Sequence, residues 1–68
     1  MKSYAEFLKG YIGKNGSLVS SSVGGHYLFW IFDNGSEKLV DVGMDYAEFH
    51  EKDWHVFVPL SLLMRMTS

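Results

Sequence analysis

His50 and His55 flank Lys52-Asp53, a pair suited to a tight turn, and Glu48 stands two positions before His50. If Lys52 and Asp53 close a two-residue hairpin, Glu51 faces Trp54, His50 faces His55 and Phe49 faces Val56. Directly opposed Cβ atoms lie about 5 Å apart. Two imidazoles and a carboxylate on one sheet face are a candidate site for zinc or nickel. Structural zinc takes four ligands, however, and this register does not bring His26 to the other three. The plainer reading is a pair of surface histidines whose mutual repulsion grows below about pH 6.

Other chemistry finds less support. Ser20, Ser21 and Ser22 have no glycine-flanked elbow and no His-Asp partner at a telling spacing. Gly24-Gly25 precedes a β-rich run rather than a helix, and no P-loop lysine follows, so it reads as a turn and not a phosphate cradle. The carboxylates are scattered over turns and strand faces, as on a solvated surface. The chain contains no cysteine, which removes disulfides and thiolate metal sites. These observations point to a chain that is not an enzyme and needs no cofactor.

The aromatics carry more weight. His26 to Phe32 (His-Tyr-Leu-Phe-Trp-Ile-Phe) and Glu37 to Val42 are β-rich runs on either side of Asn34-Gly35, the strongest local signal for a type I′ hairpin. With that turn, Phe32 faces Glu37 and Trp30 faces Leu39. One face then holds Tyr27, Phe29, Ile31, Lys38, Val40 and Val42, and the other holds Leu28, Trp30, Phe32, Glu37, Leu39 and Asp41. Both are apolar in the middle, whereas an antiparallel sheet commonly leaves one face wet. Leu28, Trp30, Phe32 and Leu39 are therefore the expected contact face for a second subunit or partner. Stacking of these aromatics on single-stranded nucleic acid is the competing use, but such platforms sit in positive grooves, and here Glu37, Asp41 and Glu48 are neighbours.

The remaining elements must position these faces. Tyr4, Phe7, Leu8, Tyr11 and Ile12 repeat at helical spacing within residues 3–12, with Ser3 and Glu6 forming a capping box and Gly13 a stop. Lys14 to Ser17 reads as a turn and Ser17 to Val23 as a weak or edge strand. Gly43-Met44 marks a bend. On the last hairpin Ala47, Phe49, Trp54, Val56 and Val58 face the core. Pro59 ends that strand, and Leu60 to Leu63 can form one helical turn before a strand at Met64 to Met66. A C-terminal helix from Ser61 is the alternative.

The 68 residues make one domain, 1–68. A chain of this length buries only about 60% of its unfolded surface, and without disulfides or metal it leans on self-association. Neither a leader peptide nor a membrane-crossing run is expected, and the lack of cysteine fits a cytoplasmic location. The net charge of −2 is unevenly spread. Residues 1–32 carry +2, residues 33–53 carry −5, and Arg65 follows. The acidic middle repels phosphates.

Three stretches carry a family resemblance: Phe7-Leu8 with Tyr11-Ile12-Gly13-Lys14, Asp41-Val42-Gly43-Met44-Asp45-Tyr46, and Val58-Pro59-Leu60-Ser61-Leu62-Leu63. Together they resemble bacterial Sm-like proteins. The resemblance implies a mainly β fold, a small SH3-like antiparallel barrel of five or six short strands behind an N-terminal helix, with ring assembly and RNA binding. Residues 15–40 are longer than that family's first hairpin, and its base-pocket aspartate and asparagine have no counterpart around Gly43 to Tyr46. The functional expectation is a small interaction module that forms a homo-oligomer. An Sm-like RNA-binding ring is one alternative. An acidic inhibitor or decoy, offering Asp33 to Asp53 to a basic site on another protein, is the other.

Overall fold

The computed structural model describes residues 3–20 and 25–67, the last four of these by backbone only. A short helix α1 (Tyr4–Lys9) precedes strands β1 (Asn15–Ser20), β2 (Tyr27–Ile31), β3 (Glu37–Val42), β4 (Tyr46–Glu51), β5 (Trp54–Pro59) and β6 (Leu63–Thr67). They form one six-stranded sheet in the order β5-β4-β3-β1-β2-β6. The first five strands join antiparallel, whereas β6 runs parallel to β2, unlike the wholly antiparallel arrangement expected. The sheet is not closed: β5 and β6 are its two ends.

The expected Asn34-Gly35 hairpin does not form. β2 and β3 lie on opposite sides of β1, with Ile31 and Glu37 both registered on Gly16. Neither Asn34 nor Gly35 has the positive φ that a type I′ turn demands. Instead the chain climbs one side of β1, steps over Gly16 and continues along the other side. The Phe32 N–H donates to the Asn15 carbonyl at 3.0 Å, and the Asn15 side-chain amide donates to the Gly35 carbonyl at 3.3 Å. A Cβ on Gly35 would fall well inside 3.0 Å of the Gly16 backbone, and one on Gly16 would meet the Trp30 carbonyl. The crossing therefore needs bare backbone both at Gly16 of β1 and at Gly35 of the β2–β3 connection. Beyond it β3 no longer flanks β1, and the Glu37 carboxylate accepts the Leu18 N–H at 2.8 Å in place of a strand carbonyl.

This path curls the sheet. Three strand spacings separate β2 from β4, roughly 14 Å in a flat sheet. Yet the Phe29 and Phe49 rings meet at 4.7 Å, tilted by 52°. Around them pack Leu8, Leu39, Val42, Ala47, Val58 and Leu63. Leu39 is thus a core residue, correcting its expected place on the contact face. The β3–β4 register shifts between Leu39 and Asp41, so one extra residue turns both Leu39 and Val42 inward.

The helix is shorter than expected but starts as read: the Ser3 hydroxyl accepts the Glu6 N–H at 3.2 Å. Only Leu8 of its apolar stripe is buried, while Tyr4, Phe7 and Ile12 stay exposed. A stack along one side replaces burial, with Phe7 6.4 Å from Tyr4 and 5.3 Å from Tyr11. Gly13, at φ +96, turns the chain into β1 two residues earlier than the sequence predicts. Residues 21–23, the end of the expected first strand, and Gly24 lie outside the described residues. Gly25 has φ +68.

The β4–β5 hairpin has the predicted register throughout, from Glu51↔Trp54 to Ala47↔Val58, with Lys52 at φ 51 in the turn. Trp54 is the exception to its expected core face: at the start of an end strand it remains exposed. Leu60 to Leu62 form one tight turn, with the Leu62 N–H donating to Pro59 and the Leu63 N–H to Leu60. A strand and not a helix follows, at Leu63–Thr67.

Gly16→Ala and Gly35→Ala are each expected to cost more than about 3 kcal/mol, enough to unfold a chain this small. Gly10→Ala is the control: its φ is −66 and an added Cβ would make ordinary contact with the Phe7 carbonyl. It should be neutral or stabilising by about 0.5–1 kcal/mol, read from urea denaturation.

Candidate functional site

The outer face of β3, β4 and β5 gathers the polar candidates. Alternation along β4 sends Tyr46, Glu48 and His50 outward, because Ala47 and Phe49 are held in the core. On β5, His55 and Phe57 point the same way. The His50 and His55 rings stack with centroids 4.6 Å apart and planes 21° from parallel. His55 Nδ1 meets a Glu48 carboxylate oxygen at 2.6 Å, with the imidazole the more open of the two. The register thus brings Glu48, His50 and His55 together as predicted. Their geometry is a different matter. Stacked imidazoles direct their ring nitrogens side by side, within the ring planes, and do not converge on one point as tetrahedral zinc requires. Among the described residues, no group of three or more His, Asp or Glu side chains is placed to hold a metal ion.

Tyr46 closes the other end of this face. Its hydroxyl donates to the Asp41 carboxylate at 3.0 Å, and its ring lies over Gly43, where a Cβ would collide with it. The Gly43 N–H in turn donates to the Tyr46 carbonyl at 2.9 Å. The Asp41 hydrogen bond, reinforced by its negative charge, raises the Tyr46 pKa above the usual 10.0. Burial raises that of Tyr4 in the same direction, where the hydroxyl donates to the Leu63 carbonyl at 2.7 Å. The Tyr46 phenol is thus held by a carboxylate and the Tyr4 phenol by a backbone carbonyl. A surface hollow of about 460 Å³ between α1 and the β3–β4 turn is lined by Ser3, Ala5, Glu6, Lys9, Gly43 and Met44; the Ser3 hydroxyl there lies 3.4 Å from a Glu6 carboxylate oxygen and is engaged in capping the helix.

The apolar candidates lie on another part of the sheet. Trp30 is 51% exposed and Phe32 45% exposed. The β1–β2 register places Leu28 opposite Val19 and Trp30 opposite Ser17, on the face turned away from Phe29. Val19 is exposed and Leu28 half-buried. Three of the four residues expected on the contact face are thus at the surface, without Leu39. No family model, curated protein or solved structure matches this chain. Val19 is the member that sequence reasoning missed, because it was assigned to a separate weak strand. The alternation of Leu18 and Val19 opposite Phe29 and Leu28 is the signal that finds it. No helix among the described residues is long and apolar enough to cross a membrane.

The Tyr46 environment sets an alkaline signature. Its folded pKa is raised, so its contribution to stability is complete below pH 10 and is lost as the pH climbs through the folded value. Spectrophotometric titration should show one phenol ionising late for this reason, and Asp41→Asn should bring that phenol back towards 10. No change on substitution would show that Asp41 does not hold Tyr46.

Proposed function

We propose that this chain is a non-enzymatic interaction module that self-associates through the outer face of β1 and β2, with Trp30 and Phe32 as anchors and Val19 and Leu28 beside them. The observation that carries the reading is an indole half open to water in the midst of a strand, flanked by further apolar side chains. Tryptophan at the centre of an apolar patch is the commonest kind of interface hot spot. Size supports it as well, since a chain of 68 residues covers its apolar surface incompletely.

Charge favours a second copy as the occupant. β1 and β2, which make this face, carry no charged side chain, so two copies meeting through it bring no like charges into contact. We read the curled sheet as a small barrel of the SH3-like, Sm-like kind. The N-terminal helix, the curl that brings Phe29 to Phe49 and the tight turn before the last strand support that reading.

Light scattering across micromolar concentrations tests the proposal. The intact chain should weigh more than its 7.8 kDa, and Trp30→Ser should return it towards that mass while the far-ultraviolet circular dichroism is retained. A 7.8 kDa particle at every concentration, or a folded Trp30→Ser variant of unchanged mass, would refute self-association through this face.

A further inference from the structure

β5 ends the sheet, and its outward edge is open among the described residues. The hydrogen-bond parity of that edge is determined. The Leu60 N–H donates to the Asp45 carbonyl at 2.9 Å, continuing the β4–β5 register in which Trp54, Val56 and Val58 bond inward to β4. His55 and Phe57 therefore present both N–H and C=O away from the sheet. Exposed edges are usually blunted by charged residues, proline or a bulge. From Trp54 to Val58 there is no Asp, Glu, Lys or Arg, the β4–β5 register is unbroken, and Pro59 stands only at the end. Trp54, 71% exposed, and Phe57, 59% exposed, are the most open aromatic side chains among the described residues, and both belong to this strand.

We propose that β5 pairs antiparallel with β5 of a second copy, about a two-fold axis at Val56. In that register His55 and the partner's Phe57 exchange both backbone hydrogen bonds, and the symmetric pair does the same, making four. Val56 meets the partner's Val56, and Trp54 lies across from the partner's Val58, an aromatic against a β-branched residue. No two like charges face each other over the six residues. Pro59 falls outside the four bonds, so its missing N–H costs nothing there. The strand is thus complementary to itself, which favours a second copy over an unrelated extended segment. This contact is separate from the Trp30 face and stands or falls without it.

Amide hydrogen exchange on the Trp30→Ser chain separates the two surfaces. The His55 and Phe57 amides should gain at least about tenfold protection between dilute and concentrated solution, while the inward Val56 amide is protected in both. Equal, fast exchange of His55 and Phe57 at all concentrations would overturn the pairing, as would protection that appears only when an added peptide is present. A proline test isolates the backbone. His55→Ala keeps the outward N–H and should keep the concentration-dependent protection of Phe57; His55→Pro removes that N–H without breaking a bond to β4 and should abolish it. Persistence of Phe57 protection in a folded His55→Pro chain would also overturn the proposal.

Discussion

Two glycines in backbone contact hold this fold in its particular path. Gly35 rests on Gly16 with no room for a Cβ on either, and at that contact the chain steps from one side of β1 to the other. Because of the step, β2 and β3 flank β1 and do not pair with each other. β3 barely overlaps β1 before moving on, so β4 and β5 extend the sheet around a curve. The same curve closes the Phe29–Phe49 contact and lets α1 drop Leu8 into the core. The cost of carrying glycine within β1 at Gly16, about 0.5–1 kcal/mol, is offset by a packing no larger residue permits.

Surface chemistry follows from that path. Placing β1 beside β2 turns Leu28 and Trp30 outward with Val19, so the apolar excess of the 26–32 run ends at the surface and not against β3. The polar candidates fall on the other wing, where Glu48, His50 and His55 form a stacked and hydrogen-bonded set. One wing has an open apolar face and the other an open strand edge.

What the sequence makes legible depends on how local the deciding contact is. The β4–β5 register was readable because two turn residues and an alternating pattern specify it within fourteen residues, 46–59. The helix start was readable from Ser3 and Glu6 for the same reason. The Asn34-Gly35 hairpin misled because its local preference is overridden by Gly16, nearly twenty positions away and unremarkable in the sequence. Leu39 misled because a single bulged residue reverses the alternation downstream, and no residue type announces it. The exposed side of α1 was missed because a helical stripe shows which residues can be buried, not how wide a groove awaits them.

Nuclear Overhauser contacts between α protons decide the matter at its root. The Phe32 N–H to Asn15 bond fixes Leu18 and Phe29 as a non-hydrogen-bonded antiparallel pair, whose Cα atoms approach to about 4.5 Å. The glycine crossing predicts a strong Hα–Hα contact between Leu18 and Phe29. A contact between the Hα atoms of Trp30 and Leu39 in its place would show a hairpin about Asn34-Gly35 and contradict the crossing.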